Sequence, residues 1–145
     1  MAHQFHRPTF PAVLLFLCGC GGGPQFAEVE GAVTQGGKPL KNVRVEYWPD
    51  GNGPKSTAVT DEQGHYTLKS EDGKTPGAVT GSHKVVLKDL DTYSDKFLGR
   101  KAENMPPPKK EVKERFSKTY ADPVKTDLKR DVVAGQKNVL NLEVK

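Results

Sequence analysis

The residues able to do chemistry are few and unevenly spread. Two cysteines, Cys18 and Cys20, stand one glycine apart at the end of an apolar run. A thiol in such a place can be acylated, oxidised or bound to a metal, but a mutual disulfide is disfavoured, because two positions apart the chain does not easily reach the required Cα separation. Beyond that run only His65 and His83 remain as imidazoles, so a zinc site of the usual Cys and His kind cannot be assembled there. Ser56, Ser70 and Ser82 lie in or beside turn-forming segments with no Gly-x-Ser-x-Gly elbow to activate a nucleophile. Asp61-Glu62-Gln63-Gly64 offers oxygen ligands without the full alternating loop of a calcium site, and an Asx-type turn fits it better. Trp48, Tyr47 and Tyr93 are the aromatics available to stack on a sugar. Of these Trp48 is the candidate for ligand stacking, since it falls on the outward phase of its segment just before a loop.

These residues must be held by elements that the pattern of the chain specifies. The 145 residues suit one core, and 34% hydrophobic with 28% charged residues, 15 glycines and 11 prolines fit a turn-rich globular chain. A net charge of +4 with interspersed signs lacks the field of a nucleic-acid binder, so no nucleic-acid partner is expected. Residues 1–19 contain no Asp or Glu, begin weakly basic around Arg7 and run apolar from Phe10 to Leu17. That run is too short to span a bilayer, which needs about 20 residues, and has the length of a signal-peptide core. Gly21 to Gln25 then reads as a flexible tether.

From Phe26 onward short alternating runs follow one another. Ala27, Val29, Gly31 and Val33 share one face; Val43, Val45 and Tyr47 share another, with Asn42, Arg44 and Glu46 outward. Ser56–Thr60 and His65–Lys69 flank the Asp61–Gly64 turn as a hairpin, with Tyr66 and Leu68 facing the core. His83–Lys88 is a fifth strand with Val85 and Leu87 inward. Leu128–Val133 and Asn138–Lys145 read as a final hairpin, with Leu140, Leu142 and Val144 on one face and the phase of Arg130 unresolved. Seven short strands and no sustained helical period make an all-β sandwich. An irregular insertion, about 89–123, interrupts the rhythm; it contains Met105-Pro106-Pro107-Pro108 and gathers Lys109, Lys110, Lys113, Arg115 and Lys118, with Phe116 and Tyr120 nearby. A stretch this long is either a solvated extended loop or a docking surface for an anionic polymer or headgroup.

Two resemblances add to this reading. Leu17-Cys18-Gly19-Cys20 resembles the lipobox of bacterial lipoproteins. It implies cleavage before Cys20, acyl groups such as palmitate on that cysteine, and attachment to the cell envelope; Gly21, where an Asp would signal otherwise, favours the outer membrane over the inner. Gly36-Gly37-Lys38-Pro39-Leu40 with Val43 and Val45, and Thr60-Asp61-Glu62-Gln63-Gly64-His65-Tyr66, resemble the carboxypeptidase regulatory-like, or transthyretin-like, domain. Gly81-Ser82-His83-Lys84-Val85 and Tyr120-Ala121-Asp122-Pro123 are similar to a subgroup of small exported lipoproteins built on it. This implies a seven-stranded prealbumin-like (Ig-like) sandwich over 26–145 and a non-catalytic role. The related transthyretin-like hydrolase ends in Tyr-Arg-Gly-Ser and uses several His and Arg residues, whereas this chain ends Asn141-Leu142-Glu143-Val144-Lys145. An intramolecular Lys–Asn crosslink, known in related sandwiches, would have to use Lys41 with Asn138 or Asn141, which fall at strand edges or outward phases. The expectation is therefore a lipoprotein signal over 1–19, a lipidated Cys20 with its tether over 20–25, and one domain without enzymatic activity, metal or cofactor. Its partners are the membrane and an envelope protein or polysaccharide; the alternative to a structural or protein-interaction role is carbohydrate or envelope-polymer binding.

Overall fold

The computed structural model describes residues 23–92 and 113–145, so Leu17, Cys18, Gly19 and Cys20, Tyr93 and the Pro-rich part of the insertion lie outside the described residues. Within them the chain is an all-β sandwich. In chain order the strands are β1 Phe26–Ala27, β2 Val29–Gln35, β3 Lys38–Pro39, β4 Val43–Pro49, β5 Ser56–Val59, β6 His65–Thr67, β7 Lys69–Ser70, β8 Ala78–Val79, β9 Gly81–Asp89, β10 Lys129–Val132, β11 Asn138–Val139 and β12 Leu142–Val144. The first sheet runs β10-β9-β4-β5-β7, antiparallel throughout. The second is built around β2, with β11 and β12 parallel to it on one side and β6 and β3 antiparallel on the other.

Alternation decides what lies between the sheets. Val43, Val45 and Tyr47 on β4, Val85 and Leu87 on β9, Val29 and Val33 on β2, and Leu142 and Val144 near the end are all essentially inaccessible to solvent. Each such side chain contributes roughly 1.5 to 3 kcal/mol of transfer free energy, so this face rather than turn chemistry fixes the register. Three departures from simple alternation stand out, the first being Val86, fully buried on the outward phase of β9 opposite Glu46. Glu46, on the outward phase, is only 3% exposed and is held by Lys88 Nζ at 3.0 Å. Leu140 is only partly buried, because β11 and β12 are separate strands and the pairing to β2 breaks at residues 140 and 141, a local bulge without change of register.

Both expected hairpins prove to be bridges between sheets. β5 pairs with β4 and β7, while β6 pairs with β2, so the Asp61–Gly64 turn carries the chain from the first sheet to the second. The chain then returns: Leu68 donates its N–H to Val29 O at 2.9 Å, and two residues later Ser70 pairs with Ser56 in the first sheet. A strand that bends at a sandwich corner can serve both sheets, and Tyr66 and Leu68 both reach the core from this one. At the other end β10 pairs with β9, whereas β11 and β12 run parallel to β2, a pairing no tight turn can join directly. Asn138 secures this second crossing: its Oδ1 accepts Val133 N–H at 2.9 Å and its Nδ2 donates to Val133 O, Gln136 O and Glu28 O.

The end of the insertion is packed. Arg115 donates from Nε to Asp89 Oδ2 at 2.8 Å and from Nη1 to Lys41 O at 2.9 Å, and its Nη2 grips Asp89 Oδ1. Phe116 and Tyr120, the latter in a 3-10 turn over Lys118–Ala121, stack edge to face at 6.1 Å and join the core. Neither Arg115 nor Phe116 is therefore available to a docking surface, and the solvated reading does not extend to Arg115, Phe116 and Tyr120, whereas Ser117, Lys118 and Thr119 are exposed.

Candidate functional site

The described chain begins where a tether would have to meet the domain. Thr80 donates its N–H to Gln25 O at 2.8 Å, and Phe26 and Ala27 pair with Val79 and Ala78, so residues 25–27 are fixed beside the start of β9. Gly77, at φ +87, permits this, because a side chain there would run into the Ala27 backbone.

Trp48 is half-buried on the outer face of the first sheet. Its indole N–H donates to Glu46 Oε2 at 3.0 Å, and Lys55 Nζ sits 5.0 Å from the ring centroid, a cation–π distance. Tyr47 belongs to the core and cannot share a stacking surface with it. Trp48, the candidate for stacking, and Tyr47 are thus on opposite faces of β4, and Trp48 has its polar atom and one ring face already engaged.

The sandwich interior holds a polar group that the sequence did not announce. The bulge at residues 140–141 turns the Leu140 carbonyl inward over Gly31, and Tyr66 Oη donates to it. That spends the only phenolic proton of Tyr66, so the 3.0 Å contact between the two phenols must have Tyr47 donating and Tyr66 accepting. Burial pushes the Tyr47 hydroxyl up to about 12 and that of Tyr66 further still, so both remain protonated donors. Arg130, which shares the inward face with His83 across the β9–β10 pair, donates from Nη2 to Asn141 O at 2.8 Å. Its ambiguous phase is resolved in this way: a guanidinium bridges strand β10 of one sheet to the bulge of the other.

His83 packs its ring 5.6 Å from that of Tyr47 and is only 1% exposed. Its Nδ1 faces Gly81 O at 2.9 Å, and since a carbonyl only accepts, the neutral ring carries its proton on Nδ1. Nε2 is buried with no hydrogen-bond partner among the described residues, and burial lowers the imidazole pKa despite the Gly81 carbonyl and the carboxylates of Asp50 and Asp131. His65, in contrast, is exposed on β6, so the two imidazoles do not converge. Among the described residues no group of three His, Cys, Asp or Glu side chains could hold a metal. Asp61 makes the Asx turn: its Oδ1 accepts the N–H of Gln63 at 2.9 Å and of His65 at 2.8 Å. Lys41 Nζ is 2.9 Å from Glu62, Asn141 Oδ1 accepts Ala32 N–H, and Asn138 is committed to its turn, so the geometry for a Lys–Asn crosslink is not present.

Taken as chemistry, the interior cluster is a set of donors each spent on a fixed carbonyl or hydroxyl, tying the two sheets together. Its signal in the sequence was weak: Gly31 at an inward position and Arg130 between two apolar residues. Among the described residues no helix is long and apolar enough to cross a membrane. No family model and no curated protein matches the chain. Among solved structures it is similar to the crystal structure of a DUF3823 family protein from Parabacteroides merdae, at 13% identity and a TM-score of 0.45. The match covers 84% of this chain and 47% of that one, so the chain spans about half the length of its structural neighbour.

Proposed function

We propose that this chain is a lipid-anchored, non-catalytic module of the bacterial cell envelope, with a carboxypeptidase regulatory-like sandwich carried on an acylated Cys20. The observation that carries the reading is the tetrapeptide Leu17-Cys18-Gly19-Cys20 after an apolar run of signal-peptide length, only five residues ahead of the first strand. The arrangement of the domain is compatible with it, since Gln25 and Phe26 are tied at one end of the sandwich, where a short tether would hold the body close to the lipid. The polar groups of the interior join sheet to sheet, which suits a structural or protein-interaction role. Outer-membrane placement rests on Gly21 following the cysteine.

Substitution of Cys20 by Ser tests the anchor. A thioether-linked acyl pair contributes about 0.8 kcal/mol per buried methylene, so the wild-type chain should sediment with membranes and show a mass increase at a mature N-terminus on Cys20. The Cys20→Ser chain should show neither modification nor cleavage before position 20. An unmodified wild-type N-terminus in the producing bacterium would refute the proposal.

A further inference from the structure

The register of the first sheet places Lys129 on β10 directly opposite Lys84 on β9, and Lys84 directly opposite Trp48 on β4. Lys55, just ahead of β5, completes the row over the indole. All lie on the outer face, because the neighbours of Lys84 along β9, His83 and Val85, point into the core. Like charges facing each other across a strand pair destabilise a sheet, and among the described residues neither Lys84 nor Lys129 has a salt-bridge partner. The neighbouring carboxylates are engaged elsewhere: Glu46 with Lys88 and Trp48, Glu71 with Lys55, Asp131 with Ser82.

The row also lies near the tether. Lys84 is four residues along β9 from Thr80, whose N–H holds Gln25, which is about 13 Å at strand rise. A five-residue Gly-rich tether has a root-mean-square span of about 12 Å. An acylated Cys20 would therefore keep this end of the sheet within reach of the headgroups.

We propose that in the anchored protein the part of the first sheet's outer face that carries Trp48, Lys84 and Lys129 lies on the bilayer, with the two lysines against anionic lipid headgroups and the indole at the interface. The proposal rests on the anchor reading and adds an orientation and a lipid preference to it. Tryptophan suits this position, since its ring is amphipathic and enriched at membrane interfaces. A lysine near an anionic surface is attracted enough that removing it should lower the face-down equilibrium about fivefold.

Trp48 is the sole tryptophan, so its emission reports the contact directly. The full lipidated protein is reconstituted into phosphatidylcholine vesicles with and without phosphatidylglycerol, each containing lipids brominated near the headgroup end of the acyl chain. Sedimentation with both vesicle types is expected. Quenching and a blue shift of Trp48 should appear only with phosphatidylglycerol and should fade at high salt. The Lys84→Gln, Lys129→Gln pair should reduce the face-down equilibrium about thirtyfold, whereas Lys84→Arg with Lys129→Arg should retain it. Equal quenching in both lipids, or quenching unaltered by the Gln pair, overturns the orientation while leaving the anchor standing. A protein that stays in the supernatant with both vesicle types overturns the anchor, and the orientation with it.

Discussion

Replacing Gly31 by Ala should be among the most damaging single changes in the sandwich, because the added methyl meets backbone. A Cβ at residue 31 would overlap the Leu140 carbonyl oxygen, lie 2.7 Å from its carbon and come within 2.9 Å of Tyr66 Oη. No flexible side chain can simply swing aside, so the bulge must retreat. Overpacking of this kind costs roughly 1 to 3 kcal/mol. Retreat also breaks the Tyr66–Leu140 hydrogen bond and leaves a buried phenol short of an acceptor, which adds about 1 to 3 kcal/mol. The expected total is about 2 to 6 kcal/mol, a large share of the roughly 5 to 15 kcal/mol by which a domain is usually stable. Equilibrium urea unfolding followed by far-ultraviolet circular dichroism and by Trp48 emission measures it. Tyr66→Phe alone should cost about 1 to 3 kcal/mol through the same bond. If both variants act through the bulge, the double variant must cost less than the two single losses added together. A Gly31→Ala loss below about 1 kcal/mol, or strict additivity with Tyr66→Phe, would refute the proposed coupling.

Three further outcomes follow from the same geometry. Because burial holds the His83 pKa below its unfolded value, the unfolded chain binds more protons; stability should be fully present above about pH 6.5 and fall as pH drops below it, and His83→Phe should remove that step from a pH series of urea midpoints. Arg115→Ala strands the nearly buried Asp89 carboxylate, so it should cost about 2 to 3 kcal/mol in urea unfolding, less than a fully buried pair because Arg115 is 24% exposed. In that variant Asp89, which Arg115 and the Asp91 N–H hold below the usual carboxylate range against the opposing effect of burial, should titrate at a higher pH by carboxyl NMR. Limited trypsin digestion should cut first at Lys109, Lys110 or Lys113 and spare Arg115, leaving associated fragments with a β-type spectrum; early cuts at Lys84 or Lys88 would contradict the packing of β9.

The periodicity of the chain was enough to place the longer strands and most of their inward residues, though not Val86, the displaced Leu140 or the short strands β1, β3 and β8. Val43, Val45 and Tyr47, or Val85 and Leu87, are buried for the reason the sequence shows: every second residue of a half-buried strand must be apolar. The Asp61 turn was equally legible, because an Asx turn and the positive φ of Gly64 are local matters. Which strand pairs with which was not local. The Asp61–Gly64 and Ala134–Lys137 turns carry the chemistry of hairpins, yet both link different sheets, since β2 offers a better-buried partner to β6 on one side and to β11 and β12 on the other. Arg115 and Arg130 read as ordinary charges because their acceptors lie 26 and 11 residues away, at Asp89 and Asn141. Glu46 counted as outward and is outward, but Lys88 and Trp48 from the same sheet face enclose it. Residue type and spacing determine which side of a strand faces the core; the closing of one sheet over the other determines which polar groups meet, because those contacts depend on distances that only the folded chain sets.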